Sequence, residues 1–530
     1  MVVSANARAS EIGVEVLRAG GTAVDAAVAT AFALAVLHPV AGNIGGGGFL
    51  VFRPAAGEPA AYDFRETAPA ASSPAMFMRQ GVYDPTTHHR SHIAVGVPGT
   101  VAGLFLAWTD HGRLPWTRLV GPAVRLAREG FPVSVDLARS LEGVLDDMAP
   151  YPASVAQFSR RGAPYAAGDV LRQPDLARTL ERVAEAGPKG FYEGETASLI
   201  EKEMLAHGGL ITRSDLRAYR ARRVAPLRGD YRGHEILSMP PISSGGVALL
   251  QMLNVLEGYE ISAKGYGSAD TIHLMIEAMR RAFADRAAHL GDPAFNPALP
   301  TDRLISKPYA AELRRTIDPR RASSSEPGTF SWPAVSQETT HFSIVDAARN
   351  AVALTYTLEQ GYGSRIVVPG AGFLLNNEMG DFNAAPDLTT VDGLIGTMPN
   401  LAQPGKRMLS SMTPTIVSRD GRLFMVTGSP GGRTIINTVL LTIVNAVDFG
   451  MNAQEAVDAG RFHHQWLPDR VTYERYGLAA DTVERLKAMG HDLVAVGHQG
   501  VAEVIMYDAA RDVVEGALDR RQADGGVAVE

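Results

Sequence analysis

Two alternating runs that meet across a short turn constrain this chain more than any other feature. Residues 340–346 (THFSIVD) and 351–358 (AVALTYTL) both alternate and both favour strand, with AARN at 347–350 between them. An antiparallel hairpin follows. With 347–350 as the whole turn, Asp346 faces Ala351 and Thr340 faces Thr357. A slip of one residue sets Thr339 itself opposite Thr357. In either register the two threonines are neighbours at the open end. A direct contact between them favours the slipped register, because opposed side chains share a face.

The flanks of this hairpin differ in texture. Just before it, residues 322–338 (ASSSEPGTFSWPAVSQE) are rich in Ser and Pro with little periodicity, so they read as an exposed, mobile stretch and the best internal boundary. Further upstream, residues 5–41 read as Ala-rich helices broken at Gly20-Gly21, with Thr22 and Asp25 as a variant capping box. A glycine turn at 45–48 leads into an apolar strand at 49–52. Helix and loop patterns then alternate to about residue 320, interrupted by a strand-like segment at 234–238 and the turn PPISSGG at 240–246. No internal repeat is present.

Downstream, strands at 415–418 and 423–427 flank Arg419-Asp420-Gly421-Arg422, and Asp-Gly is a strong hairpin turn. Pairing Arg419 with Arg422, and extending the pairing, sets Ser410 opposite Gly431 and Ser411 opposite Pro430. Ser410 and Ser411 thus converge on the turn at 429–432. An apolar helix over 433–447 follows, and N–H groups at a helix start are free to bind an anion.

Composition narrows the chemistry. The 530 residues include no Cys, which excludes disulfides, thiolate metal sites and a cysteine nucleophile. A net charge of −7 without a basic run argues against a nucleic-acid partner. The longest apolar stretch, 26–37, falls short of the ~20 residues of a membrane span. The glycine turn at 45–48 lacks the Lys-Ser/Thr of a phosphate loop, and His88-His89 and His463-His464 lack metal-ligand spacing, so neither a metal nor another cofactor is expected. The nucleophile candidates are Ser, Thr, Lys and carboxylates. Thr339 stands out among them. A cut just before it would make its own α-amine, with a pKa of ~7.7–8.0, the base beside the hydroxyl. The plain alternative is that Thr339-Thr340 simply begins a strand.

The chain resembles the γ-glutamyltranspeptidase (glutathione hydrolase) family from end to end. The resemblance rests on nine blocks in family order: 20–50, DFRETAPA at 63–70, VGVPGTVAG at 95–103, GGLITRSDL at 208–216, TTHFSIVD at 339–346, LLNNEMGDF at 374–382, LSSMTPTIV at 409–417, VTGSPGG at 426–432 and RFHHQWLPD at 461–469. It implies an α+β fold, a four-layer αββα sandwich of the N-terminal nucleophile hydrolase type. It implies self-cleavage between Glu338 and Thr339, giving a large chain 1–338 and a small chain 339–530 that share one sandwich as a heterodimer. Thr339 is then the nucleophile, Thr357 its hydrogen-bonding partner, and Gly431 and Gly432 the oxyanion donors. Arg65, Ser410 and Ser411 match residues that hold the substrate α-carboxylate, and Asp381 the acid that binds the α-ammonium. Glu378 stands where the family carries Gln or Glu. The substrate would be glutathione or another γ-glutamyl compound, with water, an amino acid or a peptide as acceptor.

Three departures qualify the resemblance. Glu359 replaces an Asn two residues after the second threonine; a carboxylate there could still meet an ammonium but would repel a carboxylate. Asp392 stands where some members carry an aromatic gate residue. Met408-Leu409 replaces the common Pro-Leu. Glu359 keeps open a glutaryl or cephalosporin acylase, or a poly-γ-glutamate processing enzyme, on the same scaffold; an uncleaved inactive homologue is the non-enzyme alternative. The opening MVVSANA aligns with an interior stretch of the family. A missing export signal, hence a periplasmic or secreted protein, is the expectation; a genuine start would make it cytoplasmic.

Overall fold

The structure, a computed structural model, describes residues 1–325, 339–388 and 396–530. The first sheet has seven strands: β1 (Val2–Ser4), β2 (Gly47–Arg53), β3 (Ala60–Phe64), β4 (Arg222–Val224), β7 (Thr339–Val345), β8 (Ala351–Thr357) and β13 (Gly526–Ala528), in the order β13-β1-β7-β8-β2-β3-β4. The second has six: β5 (Leu227–Tyr231), β6 (His234–Ser238), β9 (Thr415–Arg419), β10 (Arg422–Thr427), β11 (Val504–Asp508) and β12 (Val513–Ala517), in the order β12-β11-β10-β9-β6-β5. All neighbours in both sheets are antiparallel.

Alternation along each strand sorts side chains into two cores. From the first sheet, Leu50, Phe52, Phe342, Ile344, Val352, Leu354 and Tyr356 point into a core shared with α1 (Ala7–Arg18), α2 (Ala23–Leu37) and α3 (Thr100–His111). The opposite face contributes Val3, Phe49, Val51, Ala351 and Ala353 to a core that also takes Ile416, Val426 and Ile505 of the second sheet. Behind the second sheet lie three helices: α4 (Gly245–Leu256), α5 (Ala269–His289) and α6 (Thr434–Phe449). Every residue of α2 is buried, as its unbroken apolar character demands. The expected capping box closes its start: Thr22 Oγ1 accepts from Asp25 N at 3.1 Å, and Asp25 Oδ2 accepts from Thr22 N at 2.8 Å. No helix among the described residues is long and apolar enough to cross a membrane.

The central hairpin adopts the slipped register. Val345 pairs with Ala351 and Thr339 pairs with Thr357. Thr339, His341 and Ser343 therefore share the face turned toward the second sheet, opposite Phe342 and Ile344. The second hairpin departs from expectation. Arg419 pairs with Arg422 and Ser418 with Leu423, but Val417 then pairs with Met425. Phe424 is the extra residue of a bulge, and its ring packs on His234 at 4.8 Å. The ladder stops at Thr415–Thr427, so Ser410 does not pair with Gly431, nor Ser411 with Pro430. Ser410 instead forms a parallel bridge to Ser243, beside the 240–246 turn.

At the head of the Ser/Pro-rich stretch, Ser323 and Ser325 are held. Ser323 N and Oγ donate to Glu277, and Ser325 N donates to Asp469 at 2.7 Å. Residues 326–338 of that stretch, Glu338 included, lie outside the described residues, as does Asp392.

Close approach of the two sheets sets where the 429–432 turn can sit. A Cβ at Gly428 would lie 2.2 Å from Cε1 of His341, so no side chain fits there. Gly428→Ala should push the turn away from Thr339 and cost about 1–3 kcal/mol of stability, as overpacking does. A lower thermal unfolding midpoint with unchanged far-UV circular dichroism is the expected result.

Candidate functional site

The open end of the central hairpin lies at the wall of a cavity of about 480 Å³. Thr339, Thr357, Arg65, Glu359, Asp381, Ser410, Ser411 and Gly432 all line it. Glu378 and Gly431 do not line it, but Glu378 pairs with Arg65 and Gly431 adjoins Gly432, which do. Residues drawn from segments hundreds of positions apart therefore meet at one cavity.

Thr339 and Thr357 are both buried, and Thr339 Oγ1 donates to Thr357 Oγ1 at 3.3 Å. Thr357 Oγ1 also accepts from Glu359 N at 2.9 Å. Across the cavity, the turn after β10 gives way to α6. Gly431 and Gly432 have φ of 130° and 55°, in the region that favours glycine. Their carbonyls accept the first helical N–H groups, from Thr434 and Ile435. Their own N–H groups have no acceptor among the described residues, and the positive end of the α6 dipole lies beside them. α6 starts at Thr434, one residue later than the sequence pattern suggests, with Arg433 at its N-cap.

Arg65 is wholly buried. Its Nη1 lies 2.5 Å from Glu378 Oε2 and 3.5 Å from Glu66 Oε2, and its Nη2 pairs with Asp381. Nε donates to the Met408 carbonyl at 3.2 Å. Burial works against its charge, yet Glu378, Asp381 and Glu66 together hold its pKa above the ordinary value. The carboxyls show the same contest with the opposite result. Burial raises Glu378 and Glu359 well above the usual carboxylate range and pushes Glu66 up to about 8, with Arg65 opposing each. Asp381 is the half-exposed member of the group, on the 3₁₀ turn Glu378–Asp381.

Glu359 has φ of 82°, and its Oε2 accepts from Asn377 Nδ2. The ring of His89 stands 4.0 Å from its Oε1, but burial lowers the His89 pKa to about 4, so the imidazole is neutral at physiological pH. The two serines are set to donate. Ser411 Oγ accepts from Arg286 Nη2 at 2.9 Å, and Ser410 Oγ accepts from Met412 N at 3.1 Å. Each hydroxyl proton is thereby left for a third group.

Several cavity residues escaped the sequence reading. Arg286, Arg433, His89, Arg90 and Tyr83 also line the wall. Burial lowers the Arg286 pKa to about 10 and the Arg433 pKa well below its usual value, the latter reinforced by Arg286. One signal for Arg286 was available: Met279, Phe283, Arg286 and Leu290 fall on one helical face, and an arginine on an apolar stripe needs a buried partner.

Comparison with known proteins gives the same direction. The sequence model of the γ-glutamyltranspeptidase family matches residues 9–529. A glutathione hydrolase proenzyme of Escherichia coli is 46% identical over 529 residues, covering 99% of this chain and 90% of that protein. One from Pseudomonas aeruginosa is 42% identical, covering 98% of this chain and 93% of its own length. Among solved structures, a cephalosporin acylase from Bacillus halodurans superposes with a TM-score of 0.88 at 29% identity, covering 99% of this chain and 95% of that one. A chain of Helicobacter pylori γ-glutamyltranspeptidase gives 0.59 at 45% identity, covering 59% of this chain and 90% of its own. With these matches spanning nearly its whole length, the chain belongs to the γ-glutamyltranspeptidase family.

Proposed function

We propose that the chain is an autoprocessing γ-glutamyl hydrolase/transferase that acts on glutathione and related compounds through a threonyl acyl-enzyme. The observation that carries this is the Thr339–Thr357 hydroxyl contact in a cavity that also holds Arg65, Asp381, Ser410, Ser411 and Gly432. In this reading the two sheets and their flanking helices form the αββα sandwich, shared by chains 1–338 and 339–530. Two findings support the two-chain form. The Escherichia coli and Pseudomonas aeruginosa relatives are named proenzymes, and one Helicobacter pylori chain matches only 59% of this one while 90% of it is used. A periplasmic or secreted location is the expectation that goes with the family.

Cleavage between Glu338 and Thr339 turns the Thr339 amide nitrogen into an α-amine, which takes the proton from Oγ1. Oγ1 attacks the γ-carbonyl carbon. The N–H groups of Gly431 and Gly432 receive the oxyanion, and one such donor is worth about 10²–10³ in rate. The amine departs with a proton from the α-ammonium. Water, an amino acid or a peptide then attacks the ester. Thr357 holds Oγ1 in line. Arg65 and the hydroxyls of Ser410 and Ser411 receive the donor α-carboxylate; Asp381, Glu378 and Glu359 receive the α-ammonium. The Arg65–Asp381 pair opens on binding, each partner exchanging the other for the matching end of the zwitterion.

The acylase reading has its own support, since a Pseudomonas acylase (ACY 1) is 37% identical over 501 residues. Three carboxyls around one position nevertheless suit a donor that carries an ammonium, which a glutaryl group lacks. Kinetics with γ-glutamyl- and glutaryl-p-nitroanilide separate the two; a glutaryl preference overturns the first reading.

Purified protein should run as two bands on a denaturing gel, the smaller beginning at Thr339 by N-terminal sequencing. Thr339→Ala should remain one chain without turnover, whereas a single uncut band for the parent points to the inactive homologue. Arg65→Lys, which loses the planar fork, should raise KM about 10- to 100-fold.

The pH dependence follows from the raised carboxyls. Glu378 and Glu359 keep their protons to higher pH than exposed glutamates do. An incoming ammonium favours the ionised form, so a proton leaves on binding, and donor affinity improves as pH rises. Between about pH 5 and pH 8 the parent KM should fall more steeply than that of Glu378→Gln, which has no proton to lose. Equal slopes would mean that Glu378 is already ionised in the free enzyme.

A further inference from the structure

We propose that His92, Glu203 and His207 form a binding site for one divalent transition-metal ion of the zinc class, apart from the Thr339 cavity. Glu203 and His207 lie one turn apart on the helix Gly194–His207, and His92 opens the 3₁₀ turn His92–Ala94 that packs beside it. The two imidazole rings stack at 4.8 Å, and both Nε2 atoms approach the same carboxylate oxygen. His92 Nε2 lies 2.9 Å and His207 Nε2 3.6 Å from Glu203 Oε1, and all three ligand atoms fall within 4.8 Å of one another.

These spacings fit a metal. An ion about 2.0–2.2 Å from each donor of a tetrahedral site sets the donors ~3.3 Å apart, and the two observed separations straddle that value. Two imidazoles and one carboxylate form a donor set that zinc uses with a fourth position open. The side chains of His92 and Glu203 are largely buried, while that of His207 is 56% exposed, which leaves a path for the ion and room for the ring to adjust. Among the described residues no Lys or Arg pairs with Glu203, so its charge is not already balanced by a fixed cation.

A second cluster shows what a filled site looks like. His273, Glu277 and His491 are as close together, and all are buried. There, however, Glu277 pairs with Arg280 and Arg281 and accepts from Ser323, while His273 spans His491 and the Asp318 carbonyl. Those lone pairs are occupied, and two guanidinium groups repel a cation.

The test is calorimetric titration of the purified, chelator-stripped protein with zinc chloride. The parent should bind one equivalent with a micromolar or lower Kd. His207→Ala and Glu203→Gln should each weaken it at least about tenfold. Because His207 is exposed, its alanine variant should unfold at the parent's temperature without zinc. Cobalt(II) in the parent should give the intense visible bands of a tetrahedral site, absent in His207→Ala. A parent that takes up no zinc overturns the proposal. So does uptake that survives both substitutions but is lost in His491→Ala.

Discussion

The pairing of Thr339 with Thr357 is the constraint on which the rest of the site depends. Both belong to interior strands of a seven-stranded sheet, flanked by β1 on one side and β2 on the other, so the register is locked from both edges. A one-residue slip would turn Phe342 and Ile344 out of the α1–α2 core and bring polar His341 and Ser343 into it. The hydrophobic pattern and the placement of the two hydroxyls are thus one requirement. Buried hydrogen bonds secure the same face: His341 contacts the hydroxyls of Thr355 at 2.8 Å and Ser343 at 3.1 Å.

The second constraint is electrostatic. Arg65 has no exposed surface, and a buried guanidinium persists only with partners close by. Glu378, Asp381 and Glu66 crowd around it and hold its charge, while burial favours the protonated form of Glu378 and Glu66. Arg286 and Arg433 also line the cavity. The cavity therefore sits among charges of both signs, whose protonation follows from burial as much as from pairing. Strand and helix packing fix where those charges lie.

How much was legible in the sequence follows from the range of each interaction. The central hairpin could be read because strand parity ties Thr339 to Thr357 through a turn of a few residues. The capping box of α2 is similarly local. The bulge at Phe424 could not be read, because it depends on the contact with His234, a residue 190 positions earlier (424 − 234). It ended the argument that brought Ser410 and Ser411 to the glycine turn by pairing. They reach the cavity through Ser243 and Ser244 instead, from a segment that pattern alone marked only as a turn. The roles of Arg65, Glu378 and Asp381 came from resemblance, since no local pattern joins residues more than 300 positions apart. The grouping of His92 with Glu203 and His207 was invisible for the same reason.

The position of Thr339 at the first residue of β7 also bears on how a cut there would be tolerated. Chain cleavage inside a ladder would separate paired residues and leave new termini buried. At the start of the strand it removes no pair of the β7–β8 ladder, which runs unbroken from Thr339 to Val345. The new α-amine would emerge beside the Thr339 hydroxyl, in the cavity and not in the core. Residues before the cut would remain held on Asp469 through Ser325, and the sheet interleaves strands from both sides of the cut. Separation of the chains would expose both cores at once. A fold with this strand order can therefore lose the peptide bond before Thr339 and keep its architecture.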